Sequence, residues 1–236
     1  MKKILSVLTF AMLLISFATS TIAQRKISEG FIQMEITEIS SDDPTMNSML
    51  GFAKNMVTTM HFTKEKSLVT VNVMGGMFST KTLTNFETSE TLMLVDAMGQ
   101  KYAVKTDNAE SIENIGKNNS NIIIDIDKSV TETIVGIKCF KVVISNPDQP
   151  DMKMTAFCTK EITIEAKFIK QLDPALFPGF PLKFSFSFEG MNITYEATKF
   201  ENSFDKNILN LSTDGYDMLT QEEIEKKMGG LGKMGF

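Results

Sequence analysis

The stretch from Leu182 to Ala197 alternates apolar and polar side chains almost without exception. A period of two is typical of β-strands that bury one face. Glu189-Gly190, at its middle, predicts a two-residue turn because glycine readily takes a positive φ. That turn places Lys183 opposite Glu196. The stretch therefore predicts a hairpin in an antiparallel sheet with one apolar and one polar face.

The N-terminus has the three parts of a secretory signal peptide. Met1-Lys2-Lys3 is basic, Ile4 to Phe17 is apolar, and Thr21-Ile22-Ala23 resembles a small-x-small cleavage site before Gln24. An uncleaved membrane anchor is the alternative, but the apolar run is shorter than the roughly 20 residues of a bilayer span. We therefore expect cleavage of residues 1–23 and export to the periplasm or the exterior, with no transmembrane segment in the mature chain.

The net charge of the chain excludes some classes of partner, and its length limits the number of domains. The net charge is −5, and it becomes −7 when Lys2 and Lys3 leave with the leader, because residues 1–23 hold no acidic residue. An acidic protein does not fit nucleic acid or an anionic membrane surface as a partner. The remaining chain of about 210 residues suits one β-rich domain, 24–236, with residues 229–236 as a flexible tail.

The chain has two cysteines, Cys139 and Cys158. Two strand-like stretches flank the turn-forming residues Asn146 to Asp151, which predicts a second hairpin. A symmetric hairpin around that turn places the cysteines directly opposite each other. In an exported protein this favours a disulfide over the alternative of two buried free thiols.

Two helices are predicted beside the strands. Apolar residues at three- and four-residue spacing indicate an amphipathic helix over residues 46–57, and Thr220-Gln221-Glu222-Glu223 is a capping box that opens a short helix ending near Met228. About ten short strands joined by turns complete the chain. The predicted fold is α+β, a curved antiparallel sheet or open half-barrel with the N-terminal helix covering it.

Three short motifs resemble the GLPGLI family of exported Bacteroidetes β-sheet proteins. They are Gly136 to Cys139, Thr159 to Ile162, and Leu176 to Phe180, the last similar to a leucine-proline-glycine-leucine core. The wider layout is similar to the LolA-like lipoprotein-carrier fold. This resemblance implies a concave apolar face that holds an acyl chain, and it implies no established catalytic activity.

Catalytic and metal-binding signals are weak. His61 is the single histidine, so the chain offers no catalytic triad, and no phosphate-loop or nucleophile-elbow motif occurs. Met46-x-x-Met49 and Met74-x-x-Met77 have the spacing of soft copper(I) ligands. We interpret both methionine pairs as core packing, and we predict no enzyme activity, no cofactor and no metal site.

The leading hypothesis is a non-enzymatic exported protein that binds a lipid or other apolar ligand on its concave face. The alternative is a cell-envelope protein-interaction module with a solid core, and a methionine-based copper chaperone is a third, remote class. The predicted lining residues combine the hairpin with the N-terminal helix: Phe184, Phe186, Phe188, Met191, Ile193, Tyr195, Met49, Phe52 and Met56.

Overall fold

A computed structural model describes residues 25–43, 50–51, 53–107, 121–164, 177–188 and 190–228. These residues form one curved, unclosed sheet of twelve strands with very little helix. All neighbouring strands are antiparallel except the last, which is parallel to its partner. The strands are β1 (Gly30–Ser41), β2 (Val57–Phe62), β3 (Lys66–Val73), β4 (Phe78–Asn85), β5 (Glu90–Ala97), β6 (Gln100–Asp107), β7 (Ile123–Ile134), β8 (Ile137–Asn146), β9 (Gln149–Thr159), β10 (Phe180–Phe188), β11 (Met191–Glu201) and β12 (Asp217–Met218).

The sheet consists of two meanders joined by the first strand. Strands β2 to β6 follow one another on one side, and β11 back to β7 follow one another on the other side. Strand β1 lies between them and pairs with both β2 and β11. We call β2–β6 the first meander and β7–β11 the second meander. The two outer strands of the sheet are β12 and β7.

The main core lies where the two meanders meet. Ile32 of β1, Phe62 of β2, Ile137 of β8 and Leu182 of β10 are fully buried in one apolar cluster. Residues far apart in sequence therefore hold the centre of the sheet together. A second cluster of Val142, Ile144, Ala156, Cys158 and Phe177 belongs to the second meander.

The segment after β11 returns to the first meander. Phe204 packs against His61 of β2, with ring centroids 5.1 Å apart. The Leu219 amide then donates to the Ala103 carbonyl of β6 at 2.9 Å, beside the short strand β12. The chain thus reaches the outer edge of the first meander before its last helix begins.

The predicted C-terminal helix is confirmed as α1 (Gln221–Met228). Both hydrogen bonds of its capping box are present. The Glu223 amide donates to the Thr220 hydroxyl at 3.2 Å, and the Thr220 amide donates to the Glu223 carboxylate at 2.8 Å. Ile224 buries its side chain against Val95, Tyr102 and Val104, so the helix covers the end of the first meander.

The predicted covering helix over residues 46–57 is not seen in the described part of the chain. Leu50, Gly51 and Ala53 are helical, but residues 44–49 and Phe52 lie outside the described residues. Val57 starts β2 instead of ending a helix. The β-branched residues Val57, Thr58 and Thr59 favour the extended backbone, and pairing with β1 on one side and β3 on the other satisfies their amides and carbonyls.

The strand count is twelve and not about ten. One difference is β12, a two-residue strand that has no alternating pattern to reveal it. Strand β7 is continuous but has an irregularity in its pairing between Asp127 and Thr131. There the Asp127 carboxylate accepts from the Ser129 amide at 2.8 Å and from the Val130 amide at 3.3 Å. Local side-chain bonding thus replaces ladder bonding for one short stretch.

Candidate ligand-binding face

The β10–β11 hairpin has the predicted register. Lys183 pairs with Glu196 and Phe184 with Tyr195, and the turn residue Gly190 has φ +77°. Because the side chains of a strand alternate between faces, this register separates the hairpin into two surfaces. We call the surface that carries Phe184, Phe186, Ile193 and Tyr195 the apolar face, and the opposite surface the polar face.

Aromatic rings stack on the apolar face. The rings of Phe184 and Tyr195 are nearly parallel, 16° apart, with centroids at 5.2 Å. Phe177 is buried beside them, and its ring centroid lies 6.5 Å from that of Phe184. Such ring pairs contribute about 1 kcal/mol beyond the burial of their area. The stack therefore holds these side chains in a defined arrangement.

Tyr195 has a weak partner for its hydroxyl. Its oxygen donates to the Met56 thioether sulfur at 3.8 Å. Thioether sulfur is a poor acceptor compared with a carbonyl oxygen. Burial raises the pKa of Tyr195 to about 12, so the phenol stays neutral at physiological pH.

The structure brings together part of the predicted lining set. The Phe184 ring stacks on the Tyr195 ring, and the Tyr195 hydroxyl donates a hydrogen bond to the Met56 sulfur. Phe186 and Ile193 pair across the hairpin, and both are half-buried. The other members of the set are Met191, which is half-buried; Phe188, whose backbone pairs with Met191; and Met49 and Phe52, which lie outside the described residues.

Phe177 belongs to this face although the lining prediction omits it. It precedes β10 in the Phe177-Pro178-Gly179-Phe180 segment, which passes very close to β9. A Cβ added to Gly179 would lie 2.5 Å from the Thr159 carbonyl oxygen, so only glycine permits this approach. An apolar side chain next to a Pro-Gly pair before a strand was the available signal.

The polar face carries an ion-pair network. The Lys183 ammonium lies 3.0 Å from the Glu132 carboxylate and 3.3 Å from that of Glu196. Burial alone would lower the pKa of Lys183, but the hydrogen bonds and charges of the two carboxylates outweigh it and raise the pKa. Beside this network the Ser185 and Thr194 hydroxyls are 2.8 Å apart. The predicted separation of the two faces is confirmed.

The predicted disulfide between Cys139 and Cys158 is wrong for this structure, in which both are buried free thiols. Cys158 pairs with Phe140 and not with Cys139. A slip of one residue directs a side chain to the other face of a strand, and the two thiols accordingly belong to different apolar clusters. Burial raises the pKa of each thiol to about 12.

The cause of the slip lies at the turn. Only Pro147 and Asp148 form it, since β9 already begins at Gln149. The pairing shifts next to the turn, between Asn146 and Ser145, and so the two arms are not symmetric about it. Pro150 lies in that irregular part, where a residue without an amide hydrogen is tolerated.

His61 is half-buried between two aromatic rings. Its ring centroid lies 4.7 Å from that of Phe31 and 5.1 Å from that of Phe204. Burial lowers the pKa of His61, against the smaller opposing effect of the Glu201 charge. His61 thus packs between β1 and the segment that follows β11.

The described residues contain no cluster of conventional metal ligands, and one methionine pair is exposed. Within the described ranges no three residues among His, Cys, Asp and Glu are grouped as metal ligands would be. The core-packing interpretation is wrong for the second methionine pair, because Met74 is 37% exposed and Met77 is 49% exposed. The first pair, Met46 and Met49, lies outside the described residues.

No helix in the part of the chain that the structure describes is long and apolar enough to cross a bilayer. The predicted leader, residues 1–23, lies outside that part.

Comparison with known proteins identifies no family. No family model matches the chain, and no curated protein matches it either. The resemblance to the GLPGLI family therefore stays a prediction.

Solved structures with a distantly similar arrangement do exist. An uncharacterised conserved protein of Thermus thermophilus is 9% identical, with a TM-score of 0.47, over 83% of this chain and 91% of its own. A chain in the Pseudomonas aeruginosa MucA/MucB complex is 10% identical, with a TM-score of 0.35, over 79% of this chain and 57% of its own. The present chain thus spans less than two thirds of that second protein. At such low scores neither structure says what this chain does.

Proposed function

We propose that the chain is a non-enzymatic cell-envelope protein that binds a lipid or another apolar ligand on the apolar face of the β10–β11 hairpin. One observation supports this above all: Phe184, Phe186, Ile193 and Tyr195 form a regular apolar surface, and each of them is only half-buried. A purely structural core would bury such side chains completely, as it does Leu182 of the same hairpin.

The chemistry of the apolar face favours an acyl ligand. Its walls are aromatic and aliphatic, which suits a hydrocarbon chain. The Tyr195 hydroxyl donates only weakly to the Met56 sulfur, so an ester or acid carbonyl oxygen is a better acceptor for it. An acyl chain with a carbonyl at its head would satisfy both features. The polar face carries the ion pairs of Lys183, which do not suit a hydrocarbon chain, so the proposed ligand binds only on the apolar face.

The decisive experiment is native mass spectrometry of the mildly purified protein, followed by titration with a fluorescent fatty acid. We expect co-purifying lipid and saturable uptake of the probe. Phe186→Ser should weaken probe binding by about tenfold or more, because burial of one aromatic side chain contributes roughly 2 kcal/mol.

The matched control is Ile126→Ser. Ile126 is 43% exposed on the outer strand β7, away from the hairpin, and its substitution should leave probe affinity unchanged. Thermal denaturation of both variants checks that they are folded. A clean apo mass together with no probe uptake would reject the proposal, and so would equal affinity of the protein and the Phe186→Ser variant.

A protein-interaction module remains the second candidate, and the outer strand β7 favours it. Ile123, Ile126 and Val130 are 54%, 43% and 42% exposed on a strand at the end of the sheet. Exposed apolar residues on such a strand are typical of sites where a partner adds a strand. A clean apo mass would leave this candidate as the better one.

A further inference from the structure

Three exposed methionines lie together at the turns of the first meander. Met74 and Met77 flank the β3–β4 turn, and Met98 begins the β5–β6 turn. Their exposed fractions are 37%, 49% and 70%. Apolar side chains at hairpin turns gain nothing from solvent, so their presence calls for a physical reason.

Backbone hydrogen bonds connect the three positions. The Met98 amide donates to the Met77 carbonyl at 2.9 Å, and the Met77 amide donates to the Met74 carbonyl at 3.4 Å. Met77 and Met98 adjoin the last pair of the β4–β5 ladder, Phe78 with Ala97. The three methionines are therefore neighbours along these backbone hydrogen bonds, and each carries a flexible thioether side chain.

The residue type is unfavourable for the backbone at two of these positions. Met74 has φ +53° and Met98 has φ +54°. This left-handed region favours glycine and asparagine, and other side chains are strained there. Methionine costs conformational energy at both positions and buries little apolar surface in return. This combination indicates that the methionine side chains are kept for a function of their own and not for the stability of the turns.

We propose that Met74, Met77 and Met98 form a binding site for a soft monovalent cation of the copper(I) class. Thioether sulfur is a soft, neutral ligand that selects copper(I) over hard cations such as Mg²⁺ or Ca²⁺. Three thioether ligands can give copper(I) trigonal coordination, and none of them has to lose a proton to bind it. Each side chain has three rotatable bonds, which lets the sulfur atoms converge on one ion.

The two thiols are the natural competitors for such an ion. Cys139 and Cys158 are at most 1% exposed, and burial raises the pKa of each to about 12. A thiol binds metal as the thiolate, which is scarce under these conditions. The exposed thioethers are therefore the more accessible soft ligands in the native protein.

The test uses silver(I) as a redox-stable substitute for copper(I). The protein is labelled with ¹³C at the methionine methyl groups, and silver nitrate is titrated in chloride-free buffer. We expect the methyl signals of Met74, Met77 and Met98 to shift together and to saturate at one ion per chain. The signal of Met218 should stay unchanged, since this residue is 57% exposed but stands apart on β12.

Substitutions assign the signals and test the site. Met77→Leu should abolish the joint saturable shift of Met74 and Met98, while Met218→Leu should leave it intact. Leucine is close to methionine in volume and lacks the sulfur, so folding should be preserved. The proposal is overturned if no saturable shift occurs, if Met218 shifts in parallel, or if the joint shift survives Met77→Leu.

Discussion

The β10–β11 and β8–β9 hairpins are neighbours in one sheet, yet their sequences constrain them very differently. In β10–β11 the residues Phe184, Phe186, Ile193 and Tyr195 share one face, and a register slip would bury Lys183 and expose Phe184. In β8–β9 both faces are largely apolar, as Val142 and Phe157 illustrate. A slip there exchanges one buried apolar residue for another. Register is thus well specified by sequence only where the two faces differ.

The largest expected loss of stability is at the buried end of β10, and it should exceed the loss at the half-buried end. Leu182→Ala should lower the free energy of unfolding by about 4 kcal/mol, because Leu182 is fully buried in the main core. Phe186→Ala should cost only about 2 kcal/mol, because Phe186 is half-buried. Urea denaturation measures both. Equal losses would mean that Phe186 belongs to the solid core.

A cross-link tests the register of β8–β9. Phe140→Cys combined with Cys139→Ala should form a disulfide with Cys158, since positions 140 and 158 are directly opposite. Relative to the same variant in its reduced state, closing this loop should stabilise it by about 3 kcal/mol. The measurements are thiol counts in denaturant and urea denaturation.

The unsubstituted protein is the control for this cross-link. It should keep two titratable thiols per chain after the same mild oxidation, because Cys139 and Cys158 lie on opposite faces. If the native pair oxidises readily and the designed pair does not, the symmetric register predicted from the sequence is the right one.

A smaller effect tests the polar face of β10–β11. Lys183→Met should cost about 1 kcal/mol, because it leaves the carboxylates of Glu132 and Glu196 without their shared cation. The folded state raises the pKa of Lys183, so the stabilisation is present below the ordinary lysine pKa and is lost as the pH rises through the raised value. The two proteins should therefore converge in strongly alkaline urea titrations.

Lys105→Met is the matched control for that substitution. The Lys105 ammonium lies 2.9 Å from the Glu90 carboxylate, but both side chains are about half exposed. Its loss should change the free energy of unfolding by less than about 0.5 kcal/mol. An equal loss in both variants would mean that burial adds nothing to the Lys183 network.

The smallest expected effect concerns Tyr195. Tyr195→Phe should change stability at neutral pH by less than about 0.5 kcal/mol, because the hydroxyl loses only a weak thioether acceptor. The pKa of Tyr195 is raised to about 12 from an ordinary value of about 10. Because burial disfavours the phenolate, the unsubstituted protein should keep its stability below pH about 10 and lose stability relative to Tyr195→Phe as the pH rises towards about 12.

Phenolate absorbance follows this titration. Tyr195→Phe should remove the ionisation step near pH 12. An ordinary titration of Tyr195 would show that the apolar face is open to water, which would also count against a ligand site there.

The comparison of the hairpins shows how far the sequence predicts this fold. Strict alternation predicts β10–β11 down to its residue pairs, and the capping box at Thr220 predicts α1. Both are local patterns in which each residue has one favourable place. The pairing of β8 with β9 depends on a bulge beside Pro150, and composition does not reveal a bulge.

The candidate site divides in the same way. Phe184 and Tyr195 come from the alternating hairpin, and their stack follows from the predicted register. Phe177 reaches the same face through an irregular segment, and Met98 reaches Met77 through the pairing of two turns. Such contacts depend on how separate segments meet in space, which no local pattern encodes.

The position of β1 in the middle of the sheet has a consequence for the order of folding. Strand β2 follows β1 closely in sequence and can pair with it early, yet the other partner, β11, lies far along the chain. The second side of β1 is closed only when residues as distant as Phe31 and Glu201 meet. Contacts so distant in sequence make folding slow and leave an unpaired strand edge exposed in the meantime. The folding chain should therefore be most prone to aggregate before β11 has paired with β1.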